Sequence, residues 1–176
     1  SMALITSSYA SQQKFLHETD KDYGSRGFNW GYLVVGIAVV EKCSTVLDYG
    51  CGKGSLCEIV KRAGIDISGY DPGVNGRESL PVKADLVTVI DVLEHIEPEC
   101  ISDVLDHLFF LSEKLLLVAI AIRLSSKTLP DGRNAHVSIG GPDWWRSQLE
   151  DRGFKVRRVW NTGQKEWVAM LQRMKQ

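Results

Sequence analysis

Residues 45–54 read Thr45-Val46-Leu47-Asp48-Tyr49-Gly50-Cys51-Gly52-Lys53-Gly54, and a stretch with helical spacing of its apolar residues follows at once. This segment decides the fold. Thr45-Val46-Leu47 has the β-branched, aliphatic character of a buried strand ending at Asp48. Residues 55–63 then bring Leu56, Ile59 and Val60 to one side of a helix, which Gly64 is placed to cap. A strand that passes through three alternating glycines into a helix is a ligand cradle of open α/β folds. Glycine lets the backbone turn sharply and come close to the ligand.

The spacing also says which ligands do not fit. A dinucleotide fingerprint needs G-x-G-x-x-G, and position 55 is Ser. A Walker phosphate loop needs four residues between its first glycine and Gly-Lys, and these are absent. Asp48, two residues ahead of Gly50, would oppose a pyrophosphate with like charge. It suits a cationic ligand, such as one bearing an ammonium and a sulfonium. Asp71 ends the next apolar stretch, residues 66–70, and is placed to accept both hydroxyls of a ribose.

Strand and helix patterns alternate on either side of this segment. Residues 7–18 form a short amphipathic helix on pattern, with Tyr9, Phe15 and Leu16 as apolar contacts. Residues 21–27 read as a loop and 29–41 as a second helix. Beyond Asp71, strands are expected at 86–90, ending at Asp91, and at 115–122, whose unbroken apolar run marks a strand covered on both faces. Pro98 opens a helix to about Leu111, since proline is tolerated in a first turn. Residues 123–141 are a long loop, 142–151 a helix, and 154–160 with 166–172 a hairpin through Asn161-Thr162-Gly163. The expected architecture is α/β, with a mostly parallel sheet of about six strands and a C-terminal antiparallel hairpin. The chain reads as a single domain over 1–176, with N-terminal helices in 1–43 and a core in 44–172.

Composition sets the class. The 176 residues are 44% hydrophobic and 24% charged with a net charge of −1, which suits one globular domain. From Arg146 to the end there are eight Lys/Arg against three acids, either a solvated sheet edge or a patch for an anionic partner. Cysteines 43, 51, 57 and 100 form no C-x-x-C pair and no zinc spacing. With no secretory signal or membrane-length apolar run, the expectation is a cytoplasmic protein with reduced thiols.

At Asp48, Gly50, Gly52 and Gly54 the sequence resembles the class I S-adenosylmethionine-dependent methyltransferases, whose first motif is D-x-G-x-G-x-G. Asp71 matches the acid that ends their second strand. The resemblance spans about residues 44–172 and implies a Rossmann-like fold that binds S-adenosylmethionine. It implies a cofactor site of Asp48, Gly50, Cys51, Gly52, Asp71 and Pro72, with Asp91 and Val92 toward the adenine. One departure is visible. Only thirteen residues separate Asp71 from Asp85, too few for the strand–helix unit the family usually fits there, so the third-strand region is shortened.

Asp91-Val92-Leu93-Glu94-His95 follows the end of a strand, where ligands of open α/β sheets bind. In a helical turn, Asp91, Glu94 and His95 share one side. The long loop adds Pro130-Asp131-Gly132-Arg133-Asn134-Ala135-His136. This D-x-x-E-H pattern with a later His is similar to the ubiquinone-pathway O-methyltransferases and the enzymes that methylate the 2′-hydroxyl of small RNAs. The similarity implies Asp91, Glu94, His95 and His136 as ligands of a divalent metal such as Mg²⁺, near an acceptor hydroxyl whose pKa the metal lowers. The alternative is that Glu94-His95 caps a helix and lines the pocket, with His95 or His136 as general base. The expected reaction is O-methylation of a small molecule or sugar, with Glu94, His95 and His136 as the catalytic group. A nucleic-acid methyltransferase using the basic C-terminal strands and a non-catalytic cofactor-binding subunit are the other readings. The segment has Trp144 and Trp145 beside it. Trp145 is expected in the core, and Trp144 could lie either there or in an acceptor-binding lid.

Overall fold

The computed structural model describes residues 30–175. The amphipathic stretch 7–18 and the loop 21–27 lie outside the described residues. The elements follow in order: α1 (Gly31–Val40), β1 (Thr45–Tyr49), α2 (Ser55–Arg62), β2 (Asp66–Tyr70), β3 (Ala84–Ile90), a 3₁₀ turn (Leu93–His95), α3 (Pro98–Leu111), β4 (Ser112–Ala121), α4 (Pro142–Glu150), β5 (Phe154–Trp160) and β6 (Glu166–Arg173).

The six strands form one sheet in the order β2-β1-β3-β4-β6-β5. β1 pairs in parallel with β2 and β3, and β3 with β4. β6 enters antiparallel to both β4 and β5. The chain therefore leaves β1 to lay down β2 on one side and returns to lay down β3 on the other. That reversal opens a crevice at the carboxyl ends of β1 and β3, the place where open α/β sheets bind ligands.

Both faces of the sheet are covered. On one side α3 and α4 bring Ile101, Val104, Leu105, Leu108, Trp145 and Leu149 onto Val87, Leu116, Val118 and Ile120. On the other, α1 and α2 bring Val34, Ile37, Leu56 and Val60 onto Val46, Leu86, Leu117 and Ala119. The apolar run of β4 is accounted for by this double cover, since every residue from Leu115 to Ala121 is buried. α1 can lie close to α2 because Gly31 carries no Cβ; one placed there would stand 2.5 Å from Ile59 Cγ2.

β4 begins three residues earlier than its apolar run. α3 passes into it without a loop, and Ser112 is buried at the junction with its hydroxyl donating to the Leu108 carbonyl at 2.8 Å. Residues 72–83 hold neither strand nor helix, in line with the shortened third-strand region. No helix among the described residues is long and apolar enough to cross a membrane.

α3 buries Ile101, Val104, Leu105, Leu108 and Leu111. Leu105→Ala is expected to cost about 2–5 kcal/mol in urea unfolding. Leu80→Ser, at a side chain that is 76% exposed, is expected to stay within about 0.5 kcal/mol of wild type.

Candidate functional site

The crevice is framed by two segments that touch. The first is the glycine loop. Gly50, Gly52 and Gly54 all adopt left-handed backbone, with φ of 82°, 54° and 84°, which glycine takes without the cost a side chain imposes. The N–H groups of Gly50 and Cys51 donate to the Tyr70 carbonyl at 2.7 and 3.0 Å, tying the loop to the end of β2. The second is the segment after β3. A Cβ on Gly50 would lie 2.3 Å from Val92 Cγ2, so Val92 rests directly on the loop.

Asp71 closes the arrangement from β2. Its Oδ2 accepts from the Gly52 N–H at 2.8 Å and its Oδ1 from the Gly73 N–H at 2.9 Å. Each carboxylate oxygen keeps a further lone pair for a ligand. Pro72 is exposed at the start of the turn that follows. Cys51 turns its side chain into the protein, where it is 4% exposed; only its backbone can face a ligand in the crevice.

Asp48 is buried at the end of β1 and accepts a hydrogen bond from Thr88 Oγ1 at 2.9 Å. Burial dominates its titration and lifts the carboxyl from 3.8 to about 7; Asp71 lifts it further, while the Thr88 hydroxyl and Arg77 oppose the rise. At neutral pH the site thus holds a carboxylate that a cation would favour in its charged form.

Asp91, the first residue beyond β3, has φ of 56°, an uncommon conformation for a non-glycine residue and one often kept at functional sites. The following 3₁₀ turn buries Glu94. Backbone N–H groups of Glu94 and Ala121 donate to its carboxylate, yet Oε2 has no partner, and burial with the neighbouring Asp91 raises its pKa well above the usual carboxylate range. His95 Nδ1 lies 2.8 Å from the Ala135 carbonyl, and His136 Nδ1 lies within hydrogen-bond reach of the Arg123 carbonyl. A carbonyl can only accept, so each ring carries a proton on Nδ1, and in its neutral form the lone pair is on Nε2. The two rings meet edge to face with centroids 4.9 Å apart.

Glu94, His95 and His136 offer ligand atoms within 4.8 Å of one another. Asp91, expected to complete the ligand set, is not one of this group. The segment is not a continuous helical turn: Asp91 is left-handed and precedes the 3₁₀ turn, so the i, i+3, i+4 alignment that would bring it in does not form.

The 123–141 loop is long but fastened. Asn134 Oδ1 accepts from the N–H groups of Ser125 and His136, at 3.0 and 2.9 Å, and its Nδ2 donates to the Ser125 carbonyl at 2.9 Å. Ser138 donates from its backbone to the Glu94 carbonyl and from its hydroxyl to that of Ile96. Arg133 pairs with both Asp131 and the buried Glu97. These contacts carry His136 over His95, and sequence pattern gave no sign of Asn134 or Ser138 as the parts that do so. Trp145 is fully buried, while Trp144 is 46% exposed and packs edge to face against it.

Residues 36–159 match the model of a methyltransferase domain family. The chain belongs to that family. Its fold is that of the class I S-adenosylmethionine-dependent methyltransferases, and solved structures bear this out. The magnesium protoporphyrin IX methyltransferase of Synechocystis PCC 6803, with bound S-adenosylhomocysteine, is 21% identical; the match covers 94% of this chain and 97% of that one, with a TM-score of 0.65. The 1,6-didemethyltoxoflavin N1-methyltransferase of Burkholderia thailandensis is 14% identical over 96% of this chain and 89% of its own, with a TM-score of 0.67. The mitomycin 7-O-methyltransferase MmcR is 16% identical over 92% of this chain and 60% of its own, with a TM-score of 0.66. No curated protein matches the sequence.

The raised Asp48 pKa has a stability consequence. With a folded value of about 7 against 3.8 unfolded, the folded state binds the extra proton between those limits. Its contribution is therefore full below about pH 4 and lost as pH rises through about 7. Asp48→Asn is expected to raise the melting temperature of the ligand-free methyltransferase at pH 8, with the gain vanishing near the unfolded pKa; equal effects at both ends would contradict it.

Proposed function

We propose that this methyltransferase moves the methyl group of S-adenosylmethionine to a hydroxyl of a small molecule or sugar held over Glu94, His95 and His136. The observation that carries the reading is the convergence of these three side chains, two of them on the segment whose Val92 touches Gly50.

The cofactor's parts find counterparts in the crevice. Its cationic methionine end suits the buried Asp48, with the backbone of Gly50, Cys51 and Gly52 turned around it. Its ribose suits the Asp71 carboxylate, and its adenine lies toward Pro72, Asp91 and Val92. Methyl transfer is a displacement: the acceptor oxygen bonds to the methyl carbon as the carbon–sulfur bond breaks, and its electron pair stays on sulfur. In-line placement supplies much of the rate. The hydroxyl proton passes to Nε2 of His95 or His136, the nitrogens that the Nδ1–carbonyl contacts leave as acceptors.

The same residues fit a divalent cation. The orphaned Glu94 Oε2 calls for a proton or a cation, and two imidazole nitrogens stand beside it. When bound, a metal lowers the pKa of a coordinated hydroxyl. Glu94, His95 and His136 would hold it. A set with two imidazoles suits Zn²⁺ or a similar ion better than Mg²⁺, which prefers oxygen.

Acceptors named for the similar structures, magnesium protoporphyrin IX, mitomycin and 1,6-didemethyltoxoflavin, are small molecules and support a small acceptor here. The C-terminal arginines are engaged within the fold, which does not favour a nucleic-acid substrate. Arg146 pairs with Glu150, Arg152 with Asp106, and Arg157 with Gln172, while Arg173 holds the Phe109 and Ser112 carbonyls and Arg158 lies over Trp160.

His136→Ala is expected to bind S-adenosylhomocysteine within about twofold of wild type by calorimetry, yet to lose about 10²–10⁴ in methyl transfer to a panel of phenols and sugars. Zn²⁺ titration should show one site in wild type and none in Glu94→Gln. Affinity should rise with pH as Glu94 loses its proton. Turnover unchanged in His136→Ala would overturn the assignment. Full activity in EDTA would remove the metal and leave the histidine base.

A further inference from the structure

The connection between β2 and β3 is too short for a strand and helix, and it returns one side chain to the glycine loop. Its backbone folds on itself: the Asp71 N–H donates to the Arg77 carbonyl at 2.8 Å, and the Arg77 N–H to the Val74 carbonyl at 3.1 Å. From that anchor the Arg77 side chain runs back to the loop. Nη1 lies 3.9 Å from Cys51 Sγ. A Cβ on Gly54 would stand 2.4 Å from Nη2, and one on Gly69 would stand 3.1 Å from Nη1 and 2.7 Å from Cys51 Sγ. Glycine inside a strand weakens it and often marks the close approach of another group. Gly69 lies within β2 and Gly54 at the start of α2; the guanidinium fills the space beside Gly54 and shares with Cys51 the space beside Gly69.

We propose that Arg77 is a positioning residue for the cofactor: seated where Gly54 and Gly69 lack a Cβ, it clamps Cys51–Gly54 to β2 in place of the missing strand–helix unit. The inference rests on the reading that this loop takes S-adenosylmethionine.

The electrostatic setting agrees. Asp48 from β1 is influenced by Asp71 at the end of β2 and by Arg77, and Thr88 donates to it from β3. Cys51 and Cys57 feel Asp48 and Arg77 as well, and Lys61 of α2 acts on Cys57. Arg77 is the cation acting on Asp48, and it favours the ionised carboxylate that a cationic ligand needs.

Calorimetric titration with S-adenosylhomocysteine across pH 5–9 tests this on wild type, Arg77→Ala, Arg77→Gln and Arg77→Lys. In wild type the affinity should rise as Asp48 ionises near pH 7. Arg77→Ala and Arg77→Gln should bind about tenfold more weakly at neutral pH. The rise should also move to higher pH in both, and Arg77→Lys should restore most of its position. Loss of packing alone would weaken binding without moving the profile. Gly54→Ala should weaken binding less in the Arg77→Ala background than alone, because Nη2 no longer contests the methyl group.

Wild-type affinity and profile in both Arg77→Ala and Arg77→Gln would overturn the clamp. Should Arg77→Ala not fold, Arg77→Gln carries the test with nearly the same side-chain length. A wild-type protein that binds no S-adenosylhomocysteine would remove the cofactor reading itself, a failure distinct from a variant matching a wild type that binds.

Discussion

The contact between Gly50 and Val92 joins the two halves of the site. A Cβ at Gly50 would lie 2.3 Å from the Val92 side chain, so the turn after β1 and the turn after β3 can close on each other only through a glycine. That closeness follows from the strand order, in which β1 stands between β2 and β3 and the chain reverses around it. Everything chemical in the molecule hangs on the crevice so formed. The loop side carries glycine backbone and the Asp71 carboxylate, and the Val92 side leads within three residues to Glu94 and His95.

The site is held by small polar parts on segments far apart in sequence. Asp71 binds the Gly52 N–H across nineteen residues, and His95 Nδ1 meets the Ala135 carbonyl across forty. Asn134 uses one carboxamide to position both Ser125 and His136. The two backbone carbonyls, of Ala135 and Arg123, place a proton on Nδ1 of each imidazole. The one carboxylate in the group, Glu94, is left with an unsatisfied oxygen in the protein interior. An unpaired buried polar atom is costly, and a site that keeps one is set up to receive a proton or a cation.

Much of this was legible in the sequence, for reasons of range. The glycine loop, β1, α2 and β2 are read from contiguous pattern, because each element's periodicity and its bounding glycines lie within a dozen residues. The antiparallel C-terminal strands and the shortened 72–83 region were equally accessible from spacing. Asp91 stands apart from the Glu94–His95–His136 cluster because the spacing rule assumes a helix, and this residue is left-handed instead. Arg77 and the bracing role of Asn134 are not readable from pattern. Arg77 acts on glycines at positions 54 and 69, and Asn134 on backbone groups at 125 and 136, so neither leaves a periodic or motif signal. Trp145 met its expectation as a core residue; its neighbour Trp144, read either way in sequence, is half exposed.

The central claim is that a cofactor in the β1–β3 crevice places its sulfur next to the Glu94–His95–His136 group. A crystal structure of the protein grown with S-adenosylhomocysteine tests it directly. The ligand is expected in the crevice against the glycine loop, with its ribose on Asp71 and its sulfur turned toward His95 and His136. Density for the ligand elsewhere, or a sulfur facing away from the two histidines, would contradict it.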